Sequence, residues 1–149
     1  RLHNVYGPHS DLSIERSQVI PATIRKAILY PEEQFLVWGN GEQNRSFIYV
    51  TDVVEGLLLV ADKGINKGPI QLGTNEKTTI NQIAKMVIDV SGKDIVQEHD
   101  LTKPVGDFGR AADITLAKEI LGWEPKISME EGIKITYRWA LDYLESHKL

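Results

Sequence analysis

Apolar residues recur along this chain with two periods, and the switches between them outline its elements. Leu2, Val5 and Tyr6 form a short run closed by Gly7-Pro8, which reads as a strand entering a turn. A polar stretch from His9 to Ser17 follows. From Gln18 the spacing becomes helical through Val19, Ile20, Ala22, Ile24, Ala27 and Ile28, with Ser17 as its N-cap. Pro21 falls in the first turn, where a missing N–H is harmless. Phe35-Leu36-Val37-Trp38 predicts a strand, Gly39-Asn40-Gly41 a turn, and Ser46 to Val50 a second strand. Thr51-Asp52 then caps a helix from Val53 to about Ala61. Ile70 to Gly73 predicts a brief strand. Thr79 caps a helix from about Ile80 to Val90, with Ile83, Ala84, Val87 and Ile88 on one face and Gly92 closing it. Ile95-Val96 opens another strand, and Thr102 to Ala112 is an irregular loop. Ile114 to Leu121 predicts a short helix stopped by Gly122. Ser128 caps a final helix carrying Met129, Ile133, Tyr137, Ala140, Leu141 and Leu144 at helical spacing. The alternation of strands and helices predicts a layered α/β domain with no linker dividing it.

The chain has 149 residues, enough for one core. It opens at Arg1 inside an apolar alternation, and a strand there needs neighbours to satisfy its backbone. The expectation is therefore the C-terminal part of something longer. A net charge of −4 argues against a nucleic-acid surface. No apolar run approaches the roughly 20 residues of a membrane span. Without Cys, the chain has no disulfide, thiolate nucleophile or Cys-based zinc site. His3, His9, His99 and His147 show no metal-ligand spacing.

Two absences narrow the chemistry. No glycine-rich turn opens a helix to cradle a dinucleotide pyrophosphate. No Tyr is followed four residues later by Lys, the pairing in which an ammonium lowers a phenol pKa for proton transfer. The chain alone is therefore not expected to carry out hydride chemistry. Several residues suit binding instead. Arg45, after the Gly39-Asn40-Gly41 turn, and Arg110, in the irregular loop, could fork onto a diphosphate or serve as surface ion pairs. Asn4 could meet a sugar hydroxyl or phosphate oxygen, or make a local turn contact. Gln18 and Val19 stand where helix N–H groups attract anions, or simply start the helix. Trp38 could stack on a nucleobase, although filling the core is the default for an aromatic in an apolar run. Trp123, in Leu-Gly-Trp-x-Pro, reads as the pin of a turn between two helices. Asp52 and Asp113 read as helix caps.

Several of these segments, in this order, resemble extended short-chain dehydrogenase/reductases, the NAD(P)-dependent nucleotide-sugar epimerases and dehydratases. They are Asn4-Val5-Tyr6-Gly7-Pro8, Val19-Ile20-Pro21-Ala22 leading Ile24-Arg25-Lys26, and Val37-Trp38-Gly39-Asn40-Gly41-Glu42-Gln43-Asn44-Arg45-Ser46-Phe47 running into Tyr49-Val50-x-Asp52. Leu72-Gly73, Gly109-Arg110-x-x-Asp113 and Leu121-Gly122-Trp123-x-Pro125 complete the series. The resemblance implies that residues 1–149 are the C-terminal part of an extended Rossmann-type enzyme, namely the last sheet strands plus a small α/β substrate-binding domain. The NAD(P)-binding Rossmann half, with the catalytic Tyr and Lys, would lie outside this chain. It implies a nucleotide-sugar partner, GDP- or UDP-linked, turned over through a transient keto intermediate. It also implies a cytoplasmic parent enzyme of carbohydrate metabolism, an isomerase that forms a homodimer. Asn4 would contact the sugar or diphosphate, Gln18 and Val19 would sit beside the sugar phosphate, the backbone of Val37 and Trp38 would line the base pocket, and Arg45 and Arg110 would hold the phosphates. Gln18 stands where the GDP-fucose synthases carry an acidic His, and an amide cannot transfer a proton, which points toward a 4-epimerase or decarboxylase type of reaction. Lys26 lies too far along its helix to match the Lys used by 3,5-epimerases. A stand-alone, non-catalytic nucleotide-sugar-binding module is the alternative.

Overall fold

The computed structural model describes residues 1–103, 105, 109 and 111–147. In chain order the elements are β1 (Asn4–Tyr6), α1 (Val19–Leu29), β2 (Leu36–Trp38), β3 (Asn44–Arg45), β4 (Phe47–Tyr49), α2 (Val50–Lys63), β5 (Thr78–Thr79), α3 (Ile80–Ser91), β6 (Glu98–Asp100), a π-helical turn (Ala117–Leu121) and α4 (Met129–His147). β1 runs parallel to β4 with Asn4 opposite Phe47, and β2 runs parallel to β6 with Val37 opposite His99. β3 and β5 pair antiparallel, with Arg45 opposite Thr78.

β4 divides the interior. Successive strand side chains point to opposite faces, and here both faces are covered. Phe47 and Tyr49 enter one apolar cluster, built by Ile20, Ile24 and Ala27 of α1, Ile83, Ala84 and Val87 of α3, and Ile133, Tyr137 and Ala140 of α4. Ile48 enters a second cluster with Val53, Ile70, Leu72, Leu121 and Trp123. A strand buried on both faces has no polar alternation, which is why Ser46 to Val50 reads as a continuous apolar run.

The predicted helices form, with differences at their ends. α3 begins with a capping box in which Thr79 accepts from the Gln82 N–H and the Gln82 side chain accepts from the Thr79 N–H. It ends at Gly92, whose φ of 66° is the left-handed conformation that glycine tolerates. At α4, Ser128 Oγ accepts from the Glu131 N–H as expected. At α1, Gln18 rather than Ser17 occupies the N-cap, and the Ser17 hydroxyl accepts from Arg25 instead. Thr51-Asp52 does not cap α2, whose N-cap is Tyr49. Asp52 instead accepts at 3.1 Å from the Ile127 N–H, and its carbonyl accepts from Trp123 Nε1 at 3.1 Å. The aspartate and the buried Trp123 thereby tie α2 to the segment before α4.

Other strand expectations shift. The Ile70-to-Gly73 strand is reduced to a single bridge between Leu72 and Leu2. β6 forms at Glu98–Asp100, while Ile95 is drawn into the core outside the ladder. The Ile114-to-Leu121 helix is a short stretch whose last five residues are π-helical. Trp38 is 54% exposed and does not fill the core.

Candidate functional site

The first group of candidates gathers around Ser46. Asn4 opens β1 with its side chain exposed, and its Nδ2 donates to the Ser46 carbonyl at 3.0 Å. The parallel register that sets Asn4 opposite Phe47 brings these groups together. Ser46 Oγ, fully buried, donates to the Thr74 carbonyl at 2.8 Å, which fixes the strand against the next segment. Arg45 is half-buried beside it, and its Nη1 donates to the Asn44 carbonyl at 2.9 Å. Asn44 Oδ1 accepts from the Gly109 N–H at 3.0 Å, so the loop that leads to residue 110 is moored one position from Arg45. Arg110 itself lies outside the described residues.

The second group is built on β2 and the turn after it. Val37 is buried, whereas Trp38 presents its ring outward with the Lys103 ammonium 5.5 Å from the ring centre. That distance is within cation–π range. Gln43 Nε2 donates to the Trp38 carbonyl at 3.2 Å and so links β2 to β3. Among the described residues, Gln43 Oε1 is buried without a hydrogen-bond partner. The intervening turn is tied to α3 through Asn81. Asn81 donates its N–H to the Gly41 carbonyl, and its side chain donates to the Asn40 carbonyl and to Glu42. Gly41 has a φ of 74°, and a Cβ there would run into the Asn81 amide.

A residue set aside on sequence grounds belongs to this group. Lys26 Nζ donates to the Leu36 carbonyl at 2.6 Å, one residue from Val37. Burial pulls its ammonium below the usual lysine range, against the opposing pull of Glu33. The signal was present in the run Ile24-Arg25-Lys26, but distance along the helix hid it, because two turns of α1 carry Lys26 from Gln18 to β2.

Gln18 and Val19 stand at the start of α1, the first exposed and the second half-buried. Among the described residues no hydrogen bond joins either side chain to Asn4, Arg45 or Trp38. What orders them is Arg25. Its buried guanidinium donates to both Glu33 oxygens at 2.9 and 2.7 Å, to the carbonyls of Leu12 and Ser13 at 3.0 Å each, and to Ser17 Oγ at 3.1 Å. The loop before Gln18 is thus folded back onto α1.

Two clefts lie elsewhere. One of about 190 Å³ runs along Phe47, Thr74 and Thr78 to the start of α4, and another of about 450 Å³ lies between the His9-to-Arg16 loop and Trp139. Neither is lined by Asn4, Arg45 or Trp38. The candidate groups therefore lie outside both clefts, one group at Ser46 and the other on β2 and its turn.

Among the described residues, no helix is long and apolar enough to cross a membrane. Residues 1–73 match the family model described as NAD dependent epimerase/dehydratase family. GDP-mannose 3,5-epimerase of Arabidopsis thaliana is 35% identical over 148 residues, covering 99% of this chain and 38% of that protein. UDP-glucose 4-epimerase of Thermotoga maritima, solved with UDP-glucose, superposes with a TM-score of 0.85 at 36% identity, covering 97% of this chain and 45% of that one. UDP-N-acetylglucosamine 4-epimerase of Methanobrevibacter ruminantium, solved with UDP-N-acetylmuramic acid, gives a TM-score of 0.83 at 30% identity, covering 96% and 45%. The chain thus spans less than half the length of each of these relatives. Fold, ordered motifs and these likenesses agree: residues 1–73 match the model of the NAD dependent epimerase/dehydratase family, and nearly the whole chain is similar to its members.

Proposed function

We propose that this chain is the nucleotide-sugar-binding portion of an NAD-dependent epimerase/dehydratase. The observation that carries the reading is the junction at Ser46. There the exposed Asn4 amide is bonded to the Ser46 carbonyl, Arg45 is the adjoining residue, and Asn44 moors the loop that leads to Arg110. In this reading Arg45 and Arg110 grip the diphosphate, each guanidinium offering paired donors that match phosphate oxygens. Asn4 reads the sugar or the diphosphate. Gln18 and Val19 flank the sugar phosphate, with the N–H groups of the first α1 turn adding an attraction for anions. Val37 and Trp38 line the base pocket, and Lys26 steadies the strand that carries them.

The chain's own residues bind and orient. The dinucleotide cradle and the Tyr-Lys pair are missing from its sequence, so its groups do not fit NAD(P), and no proton or hydride step is derived from them. Epimerisation through a transient keto intermediate, by an NAD(P)-loaded, cytoplasmic, homodimeric parent enzyme, is part of the same proposal.

The test is titration calorimetry of the chain with UDP-glucose and GDP-mannose, repeated with Arg45→Ala. Losing one charge-assisted pair of hydrogen bonds removes about 1.5–3 kcal/mol, a rise in Kd of roughly 10- to 150-fold. An unchanged Kd would falsify the assignment of Arg45.

A further inference from the structure

The larger of the two clefts, about 450 Å³, takes no part in the nucleotide-sugar reading. Its size falls within the range of small-molecule sites, about 300–1,000 Å³. One wall is the loop from His9 to Arg16, and the other is α4 at Trp139 and Tyr143. The loop wall is held from behind. Leu12 is buried in the larger apolar cluster, Arg25 fixes the Leu12 and Ser13 carbonyls, and Ser10 Oγ donates to the Gly7 carbonyl at 2.6 Å. His9 has a φ of 65°, a left-handed conformation uncommon outside glycine. Its ring lies 5.5 Å from that of Trp139, which lies 5.6 Å from that of Tyr143, one helical turn on. Trp139 is half-buried and Tyr143 is 39% exposed, so aromatic surface is left open to the cleft. Backbone strain of the kind seen at His9 collects where ligands are gripped.

The polar groups narrow the ligand. Asp11 and Arg16 stand at the mouth, 3.3 Å apart and both exposed. Their charges offset one another, so the mouth exerts little net pull on a phosphate or an ammonium. Each still has hydrogen-bonding positions to offer, acceptors on the carboxylate and donors on the guanidinium. The Ser13 side chain, with the Ser13 N–H at 2.8 Å, holds the Asp11 carboxylate below its usual range. Among the described residues Ser13 Oγ nonetheless meets no partner at full hydrogen-bond geometry, although it is buried. A buried hydroxyl in that state costs stability that an arriving ligand oxygen recovers. Flat aromatic surface edged by a carboxylate, a guanidinium and a hydroxyl suits a molecule with C–H faces and a rim of hydroxyls. A pyranose ring is such a molecule: its C–H bonds rest on the aromatic face while its hydroxyls bond at the edge.

We propose that the cleft between the His9-to-Arg16 loop and α4 is a second ligand site, which takes a neutral saccharide stacked on Trp139 and Tyr143 with its hydroxyls on Asp11, Arg16 and Ser13. The site shares no residue with the groups at Ser46 and on β2, and it stands or falls independently of Arg45.

The test titrates the chain with maltose and with cellobiose, two neutral disaccharides, and follows its three tryptophan indole N–H signals by NMR. Trp139→Phe identifies the signal of interest. The expected result is a saturable shift of the Trp139 signal at millimolar concentrations of at least one sugar, with the Trp38 and Trp123 signals unmoved. Asp11→Ala should raise the Kd about tenfold or more, and Tyr143→Ala should also weaken binding. Both residues are exposed, and an unchanged signal from the buried Trp123 reports that each variant is folded. No shift with either sugar overturns the proposal, as does a shift confined to Trp38, which puts the sugar on β2. An equal response of Trp139 to inorganic phosphate overturns it in favour of an anion site. So does a wild-type Kd in both folded variants.

Discussion

Replacing Arg25 with Ala should be among the costliest single changes in this chain. The side chain is 6% exposed, and its bidentate partner Glu33 is 25% exposed. Truncation strands one partly wet carboxylate and three neutral acceptors, the Leu12 and Ser13 carbonyls and Ser17 Oγ. Breaking a buried pair by removing one partner costs about 3–5 kcal/mol, and each stranded neutral acceptor costs about 1 kcal/mol where water cannot replace the donor. Partial wetting of Glu33 lowers the first figure to about 2–3 kcal/mol, only the bond to the Leu12 carbonyl is fully buried so that water replaces the donor at the other two, and a total of about 3–4 kcal/mol follows. With a urea m value of about 2 kcal/mol/M, the unfolding midpoint should fall by roughly 1.5–2 M. Arg25→Lys should recover little, because a point-like ammonium cannot span both Glu33 oxygens and the loop carbonyls. Hydrogen exchange in the loop before Gln18 should quicken in both variants. A midpoint shift under about 0.5 M for Arg25→Ala would show that the loop is held by something other than this guanidinium.

Two further outcomes are expected. Gly132→Ala should destabilise by about 1–3 kcal/mol although alanine is the better helix former, because its Cβ would collide with the Tyr6 hydroxyl and press on Tyr49; a neutral or raised Tm would count against that packing. Stability should also decline above about pH 10. The Tyr6 hydroxyl is pushed above its ordinary range by burial, with Tyr49, Asp52 and Glu130 adding, and Tyr49 and Tyr137 are raised chiefly by burial. A raised folded value means that the unfolded chain loses those protons first, so this stability is complete below the unfolded pKa and lost as pH climbs. Lys26, lowered by burial, works in the opposite sense, as one half-buried group against three tyrosines. A urea midpoint that stays level or rises between about pH 9.5 and 11 would contradict the sum.

What could be read ahead was whatever repeats locally. The apolar positions of α1, α3 and α4 recur every three to four residues, and the Thr79–Gln82 box and Gly92 lie within one turn of the ends they mark. What stayed hidden depends on distant partners. Asp52 reads as a cap because aspartate before an apolar run usually is one, yet its carboxylate serves Ile127, 75 positions later. Trp38 reads as core because its neighbours are apolar, yet β2 is paired so that Val37 turns inward and Trp38 outward. Ile95-Val96 looks more strand-like than Glu98-His99-Asp100, but partnership with β2 determines which backbone enters the ladder. Of the candidate site, Asn4 and Arg45 were legible as residue types. Their meeting at Ser46 was not, since it rests on a register between strands more than 40 positions apart.

The placement of Tyr6 has a consequence for synthesis. Its ring lies edge-on to Tyr49, and its hydroxyl reaches α4 at the Met129 carbonyl, 123 positions along the chain. At roughly 5–20 residues per second, a ribosome takes about 6–25 s to make the intervening chain. During that interval β1 can wait beside β4 but cannot close the larger apolar cluster, because α4 has not been made. The nascent chain therefore carries an unsealed tyrosine pair until its final helix emerges, and that is the interval in which a chaperone would be expected to engage it.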